Sequence, residues 1–157
     1  MNDLIQIVDA ALAESARKAG AWLVCRPGCC ECCVGPFPIS VLDAQRLREG
    51  LSGLETSDPQ RAARVRARAR AWVESDEEPC PALDPGTGTC DLYTSRPLTC
   101  RTFGPPVRCE SGGLAVCELC FDGATAEEIE ACVVELDVGS LDPTEGEETV
   151  AAALCAR

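Results

Sequence analysis

The sequence predicts a small, mainly α domain whose core is a loop-rich cysteine cluster organised by metal, with few or no strands. Three observations lead there. Five thiols fall within nine residues, in Cys25-Arg26-Pro27-Gly28-Cys29-Cys30-Glu31-Cys32-Cys33. Helical apolar spacing and N-cap signals flank that run. Finally, the stretch from Pro79 to Pro106 is rich in Pro, Gly, Thr and Ser, with Cys80, Cys90 and Cys100 at ten-residue intervals. A loop-rich segment of that length needs an anchor, and metal coordination supplies one.

Residues 3–19 read as an amphipathic helix. Leu4, Ile7, Val8, Ala11, Leu12 and Ala16 fall at helical spacing, with Asp9, Glu14 and Arg17 elsewhere on the wheel and Gly20 as the stop. It is read as packing over the core. The cysteine run is a loop, because Pro27-Gly28 and Gly35-Pro36-Phe37-Pro38 punctuate both sides of it. Ser40-Val41-Leu42-Asp43 is a capping box for a helix through about Leu51. Asp58-Pro59 supplies an N-cap and a first-turn proline for a second helix to about Glu74, burying Ala62, Val65, Ala69, Trp72 and Val73. Its Arg61, Arg64, Arg66, Arg68 and Arg70 spread around the helix and read as a solvated face balancing an acidic chain.

Asp84-Pro85-Gly86-Thr87-Gly88 is a turn, followed by a short strand or strut over 89–93. Thr125-Ala126-Glu127-Glu128 is a capping box for a helix burying Ile129, Cys132, Val133 and Leu136. Thr144 is expected to cap a last, Ala-rich helix near 147–156. Cys132, on the apolar face of the helix begun at Thr125, reads as a small core residue, and Cys155 has no partner at ligand spacing.

A length of 157 residues fits one domain over 1–157, with motif blocks at 25–33 and 79–103 and a helical C-terminal extension at about 125–156. Hydrophobic residues make up 46% but aromatic ones only 4%, a lean core to which bound metal would add folding free energy. The 26 acidic and 14 basic residues leave a net charge of −12, which argues against nucleic acid and anionic membranes as partners. No stretch has the apolar length of a signal peptide or a membrane span. Thirteen cysteines form an odd count, and vicinal Cys-Cys pairs make poor disulfides. Reduced thiols in a cytoplasmic protein are the expectation.

The chain has no histidine, which removes Ser-His-Asp and Cys-His catalysis and His-containing zinc sites. It has no Walker loop and no dinucleotide glycine fingerprint. Whether it is an enzyme stays open; any reactivity must come from a metal cluster or a cysteine.

As ligand spacing the first block is C-x3-C-x2-C-C, with Cys30 as an extra thiol. Thiolates are strong, soft ligands, and short spacings let one turn present two sulfurs to one ion. Adjacent side chains such as those of Cys32 and Cys33 are expected to diverge. The spacing therefore points to two neighbouring metals or to one multi-iron cluster.

Together the blocks resemble the YkgJ-type cysteine-cluster family, a zinc- or iron-chelating domain with a C-x2-3-C-x2-C-C run, then C-P-x-L, then C-x-[IL]-Y-x-x-R-P-x-x-C-R. This chain matches at Cys25, Cys29, Cys32 and Cys33, at Cys80, Pro81 and Leu83, and at Cys90, Leu92, Tyr93, Arg96, Pro97, Cys100 and Arg101. It departs in Cys30 and in its further downstream cysteines. The resemblance implies metal chelation, with Cys25, Cys29, Cys32, Cys33, Cys80, Cys90 and Cys100 as candidate ligands; the CxxC pair Cys117 and Cys120, which by itself reads as a metal knuckle or a redox dithiol, completes the candidate set. The seven thiols in the matched blocks are one short of two four-cysteine sites. The eighth ligand stays open among Cys30, Cys109, Cys117, Cys120 and an external water or substrate.

Zn²⁺ is the expected cofactor, as two neighbouring ions shared between the blocks; a [4Fe–4S] cluster is the alternative. Larger proteins similar to the family include a flagellin lysine methylase. An iron–sulfur protein with a redox or methyl-transfer role, or a metal buffer or metallochaperone, therefore stands beside the zinc reading. Arg96 and Arg101 are candidate donors to the thiolates, and Tyr93 and Phe103 are expected to pack beside the site. The sequence identifies no protein partner.

Overall fold

The N-terminal amphipathic pattern forms α1 (Asn2–Ala19) in the computed structural model, which describes residues 2–108, 114–133, 135 and 148–156. Helix α1 ends at Gly20, whose φ of +53 favours glycine, and a 3-10 turn follows over Gly20–Trp22. The remaining helices are α2 (Val41–Ser57), α3 (Pro59–Ala71), α4 (Leu98–Arg101), α5 (Ala126–Glu130) and α6 (Val150–Cys155). The described strands are two residues each: β1 (Pro38–Ile39), β2 (Leu83–Asp84), β3 (Thr89–Cys90), β4 (Val107–Arg108), β5 (Leu114–Ala115) and β6 (Glu148–Thr149). The protein is mainly α with a loop-rich, cysteine-bearing middle. No described helix is long and apolar enough to cross a membrane.

The chain divides into two compact units, Met1–Arg26 with Leu98–Pro143, and Pro27–Pro97 with Thr144–Arg157. In the second unit, α2, α3 and α6 pack on one another. Leu47, Leu51, Val65 and Leu154 are almost fully buried there, each worth about 1.5–3 kcal/mol of burial. The Ser40 hydroxyl accepts the Asp43 amide at 3.1 Å and starts α2. The helix runs beyond the expected Leu51 to Ser57, because Leu47, Leu51 and Leu54 carry the apolar stripe across Gly50 and Gly53. Gly50 has a packing reason: a Cβ there would lie 2.2 Å from Ser95 Oγ, in the 3-10 turn Tyr93–Ser95.

Asp58 caps α3 by accepting the Arg61 amide at 3.0 Å. That helix buries Ala62, Val65 and Ala69 as expected but stops at Ala71. Trp72 turns extended at ψ 136, so Val73, expected to be buried, leaves the helical face and is 65% exposed. The arginines of α3 are more committed than a solvated face. Arg61 Nε and Arg68 Nη2 each lie 2.5 Å from the carboxylate of Asp91, whose side chain is only 2% exposed. Arg66 pairs with Glu55 and donates to the carbonyls of Leu154 and Ala156. Helix α6 is capped by Thr149, which accepts the Ala152 amide, while Thr144 lies outside the described residues. Strand β1 pairs antiparallel with β6, and β2 with β3, placing Leu83 opposite Cys90.

In the first unit α1 packs against α4, and the buried Arg101 sends Nη1 to both carboxylate oxygens of Asp9 at 2.7 and 2.8 Å. A second core gathers Ala19, Cys120, Phe121 and Cys132, with Trp22 and Ile129 packed against it. The Thr125–Glu128 capping box starts α5. Cys132 is a buried core residue: its thiol donates to the Glu128 carbonyl at 3.3 Å, and Ser15 donates to its carbonyl at 2.6 Å. Leu136 lies outside the described residues.

Candidate metal centre

The two motif blocks meet in the second unit through their backbones. The Cys80 amide donates to the Cys33 carbonyl at 2.8 Å, the Gly35 amide donates to Glu78, and Val34 and Pro79 form a bridge between them. Cys33 and Cys80 are thereby fixed side by side, although 46 residues lie between them. The hairpin β2–β3 then folds Cys90 back: the Asp91 amide donates to the Ala82 carbonyl at 2.8 Å. Gly88 at the hairpin's end sits so close to Gly28 that an added Cβ would lie 3.0 Å from the Gly28 carbonyl oxygen. That approach brings the loop carrying Cys29 and Cys30 onto the same hairpin.

The electrostatics show which thiols share one region. Cys33 is held protonated, chiefly by its hydrogen bond to Cys32, then by burial and by the nearby sulfurs of Cys80 and Cys90. Cys32 moves the other way, down to about 6, because the Cys33 thiol donates to it, with its own amide and the Arg96 charge assisting against burial. The tight turn closed by the Cys33 amide on the Cys30 carbonyl at 2.8 Å bends the chain between them.

Burial pushes the Cys80 thiol up to about 11 and raises Cys90 as well. Both sulfurs nevertheless accept backbone hydrogen bonds, Cys80 from the amides of Ala82 and Leu83 and Cys90 from that of Leu92. Amides aimed at sulfur stabilise the thiolate form, the form that ligates metal. This is the local meaning of Cys80-Pro81-Ala82-Leu83 and Cys90-Asp91-Leu92: each Cys is followed by a turn that returns its amides to the sulfur. Arg96 stacks over the Tyr93 ring at 3.9 Å and places its charge beside Cys32 and Cys90. Beside Cys80, a cleft lined by Trp72, Gly35 and Phe37 has a volume of about 10 Å³, room for one water at most.

Other thiols gather in the first unit. Cys25 Sγ lies 4.0 Å from Cys120 Sγ. Cys120 and Cys117 belong to one turn, closed by the Cys120 amide on the Cys117 carbonyl at 2.9 Å. Phe121, immediately after it, has φ +62 and donates its amide to the Trp22 carbonyl at 3.1 Å, tying the turn to the segment that leads into Cys25. Sequence reasoning missed Phe121, since nothing in its neighbours demands a left-handed aromatic residue. Cys100 lies on α4, whose Arg101 binds Asp9, and Phe103 is 42% exposed.

Cys155 is exposed on α6, and Cys109 lies outside the described residues. Among the described residues no cysteine is in a disulfide, and no group of three or more Cys, Asp or Glu side chains stands close enough together to hold a metal ion.

A family model described as "CxxCxxCC: Putative zinc- or iron-chelating domain" matches residues 24–133. The chain belongs to this CxxCxxCC family. No curated protein and no solved structure matches it. The matched CxxCxxCC region takes in both motif blocks and the Cys117–Cys120 turn, so the protein is a metal-chelating one. Its donors fit that chemistry: all are soft sulfurs, and in the second unit they already accept amide hydrogen bonds.

Proposed function

We propose that the protein is a zinc-binding module with thiolate-only coordination, in which one ion is held by Cys32, Cys33, Cys80 and Cys90. The observation that carries this reading is the seating of Cys33 against Cys80 by a main-chain bond, with Cys90 returned to the same place and amides directed at the Cys80 and Cys90 sulfurs. Cys29 and Cys30 stand on the adjoining loop as alternative donors. Four thiolates give closed tetrahedral coordination, which suits a structural site better than an open catalytic one. Arg96 offsets the negative charge of the loaded site, and the reduced thiols it needs fit a cytoplasmic setting. The chain's own acidity makes nucleic acid and anionic membranes poor partners.

A second reading rests on the same donor set. Four cysteines without histidine also suit a [4Fe–4S] cluster, which would give the module a redox or methyl-transfer role instead of a structural or metal-buffering one. Colour separates the two. Protein purified without oxygen and assayed for zinc, iron and sulfide is expected to be colourless and zinc-loaded. Brown protein with iron and sulfide would establish the second reading, and metal-free protein that fails to take up either would overturn both.

A further inference from the structure

We propose that Cys25 and Cys120 form a redox-active dithiol in the first unit, a site of reversible exchange with low-molecular-weight disulfides that uses none of the four thiols assigned to zinc. Their Sγ atoms lie 4.0 Å apart, in contact, although 95 positions separate the two residues in sequence. A disulfide bond is about 2.05 Å long, and the remaining step of about 2 Å is within the swing of one side-chain torsion.

The two thiols differ as an attacking and a resolving cysteine do. Cys25 is exposed and meets a reagent first, whereas Cys120 is sheltered in the core with Ala19, Phe121 and Cys132. The surrounding backbone fixes their contact. The Phe121 amide donates to the Trp22 carbonyl at 3.1 Å and the two rings stack with centroids 6.4 Å apart, so the residue after Cys120 is tied to the segment leading into Cys25. Phe121 holds φ +62 while making that bond, a left-handed conformation rare for a bulky residue and of the kind that marks functional sites. Gly104, at φ +105, comes so near that a Cβ there would lie 3.0 Å from Cys25 Sγ. Neighbouring thiols are placed differently. Cys132 donates to the Glu128 carbonyl at 3.3 Å, and Cys117 shares a turn with Cys120, yet the sulfur in contact with Cys120 Sγ is that of Cys25.

The exchange balances within the pair. Cys25 Sγ gives up its proton and attacks one sulfur of the incoming disulfide; that S–S bond breaks, and the small thiolate that leaves takes up a proton. Cys120 Sγ then attacks Cys25 Sγ in the mixed disulfide, releasing the second small thiol and closing the Cys25–Cys120 bond. The protein pair loses two electrons and two protons, and the incoming disulfide gains both. An external dithiol reverses the sequence. Transient sensing disulfides of this kind occur in reducing compartments. Closure links the segment after α1 to the turn ahead of α5 and cross-links residues 95 apart, a long loop whose closure restrains the unfolded chain.

The test treats the full-length protein, in the metal state in which it is purified, with one equivalent of oxidised glutathione. Disulfides are mapped by peptide mass spectrometry, and metal content is measured before and after. The expected product is about 2 Da lighter than the reduced protein, carries a Cys25–Cys120 cross-link that dithiothreitol reopens, and keeps its metal. Cys25→Ser, at an exposed position, should lose the cross-link, and Cys117→Ser should close it like the wild type. Cys120→Ser should stop at the mixed disulfide between Cys25 and glutathione, an adduct that a purely structural cysteine pair does not give.

A Cys117–Cys120 cross-link in place of Cys25–Cys120, or wild type in which Cys25 forms no cross-link, would overturn the proposal. So would metal released in step with closure of the Cys25–Cys120 bond, because the pair would then be ligands and not a separate dithiol.

Discussion

Helix α2 contains two interior glycines that should respond to the same substitution with opposite signs. Replacing a mid-helix glycine by alanine ordinarily stabilises by about 0.5–1 kcal/mol. At Gly53 nothing lies within 4 Å of the new Cβ, so Gly53→Ala should deliver that gain. At Gly50 the Cβ would lie 2.2 Å from Ser95 Oγ and 2.5 Å from Ser95 Cβ. The hydroxyl can rotate away, but the Cβ is fixed to the backbone, so the whole Tyr93–Ser95 turn must retreat. Overpacking of this kind costs typically 1–3 kcal/mol. Set against the helix gain, Gly50→Ala should be destabilising by about 0–2 kcal/mol and should fall below Gly53→Ala by about 1–3 kcal/mol.

Urea denaturation of the zinc-loaded protein reads this as midpoint shifts in opposite directions at constant slope. The double variant Gly50→Ala/Ser95→Gly should recover most of the loss, because contacting residues couple. The turn leads directly into Arg96, whose charge stands beside Cys32 and Cys90, so Gly50→Ala should also weaken zinc retention against a competing chelator. If Gly50→Ala stabilises as much as Gly53→Ala, the close seating of the turn on α2 is wrong.

Other outcomes follow from the same contacts. Asp91→Asn removes the charge that Arg61 and Arg68 share and should cost about 2–3 kcal/mol in urea unfolding, less than a fully buried pair because both arginines are partly exposed. Cys33→Ser should lower zinc content by elemental analysis, whereas Cys155→Ser, at an exposed position on α6, should leave it unchanged. Removing zinc with a strong chelator should raise amide hydrogen exchange across 79–97, where cysteines anchor the loops, while α2 and α3 keep their protection. Uniform protection after confirmed zinc loss would contradict that coupling.

What was legible in the sequence was local. Ser40, the Asp58-Pro59 pair and the Thr125–Glu128 box each start the helix they announce, because a cap is satisfied within three residues. The mainly α character and the cysteine-rich loops followed from the same short-range patterns. Helix ends were less legible. The helix begun at Ser40 reads as running to about Leu51, yet packing against α3 and α6 carries α2 to Ser57, and tertiary burial outweighs propensity. The partner of Arg61 and Arg68 was invisible, since Asp91 looked like one acidic residue among many.

The thiols divide in the same way. The blocks named candidate donors, but their spacing could not show that Cys25 lies against Cys120. Contacts so far apart in sequence leave no periodicity to read. Cys132 was legible as core from its apolar helical face, and its buried thiol agrees.

The central claim is coordination by sulfur alone, and X-ray absorption at the zinc edge of the loaded full-length protein tests it most directly. A first shell of four sulfurs at about 2.3 Å, with no nitrogen or oxygen scatterer, is the result this account predicts. A shell containing oxygen or nitrogen ligands at about 2.0–2.2 Å would contradict it.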